Sequence, residues 1–151
     1  MNKPLATVMG LAVTSCLASA FAQEITVAEL KSKGALVLSS DELKNFLPGK
    51  IARYEVPGFS YMVKLERDGS LTGTHTRTPW AGRRMKQFIG DWKLSDEGRW
   101  CMRHMIYSNS NMVRGTNCRD IVKLGENYYY ASGDDPGNDE RKAWPVQFSR
   151  Y

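Results

Sequence analysis

Three cysteines and two histidines are the side chains of this 151-residue chain best suited to covalent or metal chemistry. They are Cys16, Cys101, Cys118, His75 and His104. The run Cys101-Met102-Arg103-His104-Met105 gathers the sulfur and imidazole donors that hold copper. In a strand, however, only Met102 and His104 share a face, which is too few ligands, and packing explains the run better. Asp134, Asp135, Asp139 and Glu140 offer the oxygens that calcium prefers, but their Gly and Pro neighbours do not fall into the EF-hand pattern. A solvated loop accounts for them. Nucleophilic catalysis needs a base beside a Ser, Thr or Cys, and usually that base is His. No Gly-x-Ser-x-Gly elbow is present, and no histidine pair has zinc-ligand spacing on a helix. With 16 acidic residues, a glycosidase-like carboxylate pair could be drawn by chance from many combinations. No catalytic residue, metal or cofactor is therefore assigned, and a binding protein is expected ahead of an enzyme.

The start of the chain constrains where this chemistry takes place. Lys3, an apolar stretch from Leu5 to Ala18, and Ala20-Phe21-Ala22 form the three parts of a secretory signal peptide, with cleavage after Ala22. The rival reading is a lipobox at Val13-Thr14-Ser15-Cys16, which would make the protein a lipoprotein through Cys16. Val13 fits that motif less well than Leu, and a good Ala-x-Ala site lies downstream. A single domain over 23–151, periplasmic or secreted and without a transmembrane anchor, is expected. Removing Lys3 from the 21 basic residues, against 16 acidic ones, leaves a net charge of +4. The basic residues are scattered except for Arg83, Arg84 and Lys86, which read as a solvated loop rather than a polyanion site. No nucleic-acid partner is expected, and the protein is expected to be a monomer.

Further along the chain, Thr26 with Glu29 and Ser39 with Glu42 have capping-box spacing and predict two short helices. The first should end near Gly34 and the second near Leu47, before Pro48-Gly49. From there the period is two. Strands are predicted at Ile51 to Val56, Ser60 to Glu66, Leu71 to Arg77, Phe88 to Leu94, Arg99 to Tyr107, Met112 to Leu124, Tyr128 to Ser132 and Trp144 to Phe148. Asp68-Gly69 and the other polar turns separate them. The fold class is mostly β: an antiparallel up-and-down barrel or curled sheet of about eight strands, lipocalin-like, with one or two short N-terminal helices.

Asp68-Gly69-Ser70-Leu71 with Gly73, Gly90-x-Trp92-x-Leu94, Gly98-x-Trp100-Cys101, and Cys118 with Leu124-Gly125 and Tyr128 follow one another in an order that resembles the uncharacterised proteobacterial family called domain of unknown function 995. The resemblance covers about Ser39 to Tyr130, and the tail from Gly133 does not follow it. It implies an exported, barrel-like disulfide domain and carries over no catalytic residue.

Cys101 and Cys118, an even pair in an exported protein, predict a disulfide. A hairpin turning at Ser108 to Asn111 brings them opposite each other with no residue left over. It also sets Arg99 opposite Asp120, a cross-strand charge pair expected to contribute at most ~1 kcal/mol. The other face then carries Trp100 opposite Arg119, Met102 opposite Asn117, His104 opposite Gly115 and Ile106 opposite Val113. Being more apolar, this face should turn inward. A buried guanidinium must stack on Trp100, pair with an acid or meet an anion. Trp100, His104, Asn117 and Arg119 are thus the candidate ligand-binding residues, with Gly115 leaving room beside the imidazole. The expected function is small-ligand binding in the barrel interior or mouth, with a small anionic molecule as ligand. The alternatives are an interaction or inhibitor domain acting on an envelope protein such as a cell-wall hydrolase, and a hydrolase of unknown type.

Overall fold

Two reciprocal caps start the helices. In the computed structural model, which describes residues 24–77, 85–108, 111–133, 135 and 137–151, Thr26 Oγ1 accepts from the Glu29 N–H at 3.1 Å and the Glu29 carboxylate accepts from the Thr26 N–H at 2.8 Å. For Tyr107, Ser108, Asn111, Met112, Val113 and Ser132 the backbone alone is described. Ser39 and Glu42 repeat the arrangement. These bonds favour the ionised carboxylates and hold both glutamates below their ordinary range. Helix α1 spans Val27–Ser32 and α2 spans Ser40–Phe46. Gly34 follows α1 at φ 88°, and Leu47 caps α2.

The chain is mostly β and forms a closed eight-stranded antiparallel barrel. After two very short strands, β1 (Ile25–Thr26) and β2 (Leu36–Val37), come β3 (Lys50–Val56), β4 (Phe59–Leu65), β5 (Ser70–Arg77) and β6 (Lys86–Leu94). They are followed by β7 (Trp100–Ser108), β8 (Asn111–Leu124), β9 (Asn127–Ser132) and β10 (Lys142–Arg150). Each strand from β3 to β10 pairs with the next, and β10 closes the ring on β3, with Val146 opposite Tyr54. The eight predicted strands correspond one to one with β3 to β10. The two-residue β1 and β2, which pair with β10 and β8, have no sequence signal.

Alternation assigns the faces. Ala52, Tyr54, Val63, Leu65, Leu71, Phe88, Trp100, Met102, Ile121, Tyr130 and Val146 point inward and form one core. Leu43 of α2 and its cap Leu47 are fully buried in that core, and Phe46 stacks on Tyr128 and meets Phe148 edge-to-face, each at 4.9 Å. This closes the end where β3 begins. At the other end, the mouth, lie the β3–β4, β5–β6, β7–β8 and β9–β10 connections. On the outer face α1 covers a second cluster, in which Val27, Leu30 and Ala35 pack on Val122, Ala131 and Ala143.

Two inward glycines have a packing reason. A Cβ at Gly73 would lie 2.2 Å from the Phe88 ring, and one at Gly115 would lie 2.8 Å from the His104 ring. In each cross-strand pair the glycine's missing side chain is where the aromatic ring lies.

Candidate ligand site inside the barrel

The β7–β8 hairpin has the register read from the sequence. Cys101 opposes Cys118, Trp100 opposes Arg119, Met102 opposes Asn117, and His104 opposes Gly115. The cysteines are bonded, with Cα atoms 4.0 Å apart. Their side chains lie on the outer face, which leaves Trp100, Met102, His104 and Arg119 on the inner one.

Arg119 is 8% exposed, and its guanidinium lies among rings from three other strands. Its Cζ is 5.0 Å from the Tyr54 ring of β3, 5.0 Å from the Tyr130 ring of β9 and 5.7 Å from Trp100 of β7. Ring faces attract a cation, and in a desolvated setting the attraction is stronger than at a surface. Nη1 donates to the Tyr54 hydroxyl at 3.0 Å and reaches Met102 Sδ at 3.9 Å. No Asp or Glu occupies an inward-facing strand position among the described residues. The neighbouring acid on β8, Asp120, points to the opposite face of the wall.

The polar atoms around this charge are short of acceptors. Arg119 Nε, Trp100 Nε1, the Tyr130 hydroxyl, and Nδ1 of both His75 and His104 are buried without a hydrogen-bond partner. Trp100 is 0% exposed and Tyr130 is 1% exposed. Guanidinium and indole N–H groups can only donate, so Arg119 Nε and Trp100 Nε1 each lack an acceptor, whereas the Tyr130 hydroxyl and a neutral imidazole can donate or accept. Burial pushes the Tyr130 phenol well above its ordinary range. It also raises Tyr54, against the opposing pull of Arg119. His104 is held low first by burial, then by the positive charges of Arg119 and His75. His75 is lowered by burial and by Lys86. Arg119 is therefore the fixed positive charge deep in the interior, Lys86 stands at the mouth end of β6 opposite His75, and the two imidazoles favour their neutral form.

Above Arg119, toward the mouth, a row of rings lines the wall. Tyr61 meets His75 at 5.6 Å, His75 meets Phe88 at 6.2 Å, and Phe88 meets His104 at 5.5 Å. Tyr61 also stacks on Tyr54 at 5.1 Å, which joins the row to the cage around the guanidinium.

Two expectations need correction. Asn117 has the inward register but is exposed to solvent. Strand β9 reaches only to Ser132, opposite Arg119, so among the described residues no strand pairs with Asn117 on the β9 side of β8. The room at Gly115 is taken by the His104 ring itself rather than left beside it. The Arg99–Asp120 pair also differs from a surface pair: both residues are buried, and Arg141 completes a triad with Asp120 at 2.6 Å. Tyr54, Tyr130 and His75 were not among the candidates. Their inward parity is visible in the sequence, but barrel closure is what sets them beside Arg119.

Among the described residues, no group of three or more His, Cys, Asp and Glu side chains is placed to hold a metal ion. Asp139 instead pairs with Lys31 at 2.7 Å, and Asp135 accepts from the Gly137 N–H at 3.0 Å. Asp134 lies outside the described residues, as do Arg83 and Arg84. No described helix is long and apolar enough to cross a membrane. The largest described groove, about 420 Å³, runs over the outer flank past Arg53, Glu55, Ser60, Thr74 and Gln147, and offers no buried unpartnered donor. Compared with protein-family models, curated proteins and solved structures, the chain finds no match in any of the three.

Proposed function

We propose that this protein is an exported binding module that holds a small anionic molecule inside the mouth half of its barrel, over Arg119. One observation carries the reading: a guanidinium buried in the barrel that faces no Asp or Glu among the described residues, and whose Nε, like Trp100 Nε1 on the same inner face, has no acceptor. Burying a charge without a counter-charge is costly, and an anion would supply both the charge and the missing lone pairs. Trp100 and His104 belong to this site. Asn117, exposed on β8 beyond its pairing with β9, would lie at its margin. Export through removal of residues 1–22 completes the proposal. It agrees with the Cys101–Cys118 disulfide, since such bonds persist in oxidising compartments.

The test is native mass spectrometry of protein purified from its own cells, with the N-terminus read in the same spectrum. The expected result is a chain beginning at Gln23 that carries a small acidic molecule, and Arg119→Met protein, still folded, that lacks it. Wild-type and Arg119→Met chains with the same adduct, or no acidic adduct and no affinity for any added anion, would remove the reading.

A further inference from the structure

We propose that the ligand of this site is an aromatic monocarboxylate, its carboxylate taken by Arg119 and its ring laid along the row formed by Tyr61, His75, Phe88 and His104. The inference rests on the anion-binding reading above and names the chemical class within it.

Three features select that class. The first is the shape of the free donor edge. Both hydrogen bonds that Arg119 makes with described residues leave from Nη1, and on the Nε side of the fork the buried Nε has no partner. That side presents two parallel N–H groups, which match the two oxygens of a planar carboxylate. The Tyr130 hydroxyl and Trp100 Nε1, both fully buried and unpartnered, are further donors on rings that face the guanidinium.

The second is charge. Among the described residues Arg119 is the one fixed charge at this depth, since both imidazoles are biased toward neutrality and Lys86 lies at the mouth end of β6, opposite His75. A monoanion neutralises it. A dianion such as a phosphate monoester would leave a net negative charge out of water.

The third is the wall above. Toward the mouth the inner wall carries a run of rings, 5.5 to 6.2 Å apart, from Tyr61 to His104. Phe88 and His104 are set against the strand backbone because Gly73 and Gly115 have no Cβ. Flat π surfaces of this kind favour a flat aromatic body and offer little to a polyol or a sugar.

The experiment is calorimetric titration of the purified protein, unfolded and refolded with its disulfide intact to strip any resident molecule, with benzoate, acetate, benzamide and inorganic phosphate. Benzoate is expected to bind at least about tenfold more tightly than acetate or phosphate, and benzamide not measurably, because the fork needs a charged planar partner. Arg119→Lys keeps the charge without the fork, and Tyr130→Phe removes only a hydroxyl. Each should weaken benzoate binding, the lysine variant by about tenfold or more. Phosphate binding more tightly than benzoate would overturn the carboxylate class and leave the anion reading standing. Benzamide matching benzoate would overturn both, as would the absence of binding by every anion. If Arg119→Lys does not fold, Tyr130→Phe and the four-ligand comparison on wild-type protein still decide. Benzoate affinity unchanged in every folded variant would put benzoate elsewhere on the surface and end the proposal.

Discussion

Arg99 and Arg119 belong to one hairpin, and both are buried, yet they face opposite sides of the barrel wall and are treated differently. On the outer side, Arg99 Nε donates to Asp120 at 3.3 Å, and its Nη2 donates to the carbonyls of Cys118, at 3.1 Å, and Gly133. Arg141 takes the other oxygen of the same carboxylate, and its own Nε donates to the Asn138 carbonyl at 2.7 Å. This triad ties β8 to the β9–β10 connection under the rim of α1, and its acceptors are supplied by the chain. On the inner side, Arg119 has three rings and one hydroxyl but, among the described residues, no carboxylate. The protein buries one arginine of this hairpin against a carboxylate and carbonyls, and the other, on the opposite face, against rings and a hydroxyl, where a ligand could complete it. The outer arginine is architecture. The inner one is the proposed site.

The comparison breaks most visibly at Asp120. Asp120→Ala strands two buried guanidinium groups and should cost about 3–5 kcal/mol in a urea melt, because a buried charge that loses its partner keeps its desolvation penalty. A loss below about 1 kcal/mol would mean that water already reaches the triad. Next in size is the disulfide. Replacing Cys101 and Cys118 by serine should cost about 3 kcal/mol through the loop it closes, read as a lower midpoint. The cap of α1 comes third: Thr26→Ala should cost about 1 kcal/mol and loosen the outer cover first, seen as faster amide exchange in Val27–Ser32. Arg119→Met should move stability by no more than about 1 kcal/mol in either direction, since no acid is left behind and the methionine fills the space. A cost matching that of Asp120→Ala would show that the inner arginine is structural as well.

The smallest expected effect is that of pH. The folded state holds His104 below its unfolded value, so near and below the unfolded value of about 6.5 the unfolded chain binds the extra proton more readily. Stability should therefore be full above that pH and decline as pH falls through the folded value. His75 acts in the same direction. The groups facing His104 are Arg119 and His75, with Lys86 beyond His75, and an anion seated on Arg119 would reverse part of their repulsion. Saturation with benzoate should accordingly flatten the acid limb of a melt series in wild-type protein and not in His104→Phe. Identical acid limbs with and without ligand would separate the histidines from the site.

What the sequence made readable depended on how local the pairing is. The β7–β8 register follows from a turn and two cysteines, and both caps follow from a four-residue spacing. The eight main strands follow from a period of two, bounded by Gly, Asp and Asn turns. The pairing of β10 with β3 spans most of the chain, and no local signal announces that Val146 will oppose Tyr54. That closure, with β9, is what brings Tyr54 and Tyr130 to Arg119, so the cage was out of reach although each of its residues was in view. Asn117 was misplaced for a related reason. Its face was right, but its exposure depends on where β9 stops. The burial of Arg99 likewise depends on Arg141, more than forty positions away along the chain.

The central claim, that the inner guanidinium awaits an acceptor, can be read at the atom concerned. Arg119 Nε–H is buried, which should keep its proton in slow enough exchange for a nitrogen–proton correlation spectrum. On titration with benzoate its resonance is expected to move progressively and saturate with the calorimetric affinity, while the Arg99 Nε–H, already held by Asp120, stays in place. An Arg119 Nε–H signal that does not move while benzoate binds, or one that in the ligand-free protein already shows a carboxylate partner from within the chain, would contradict it.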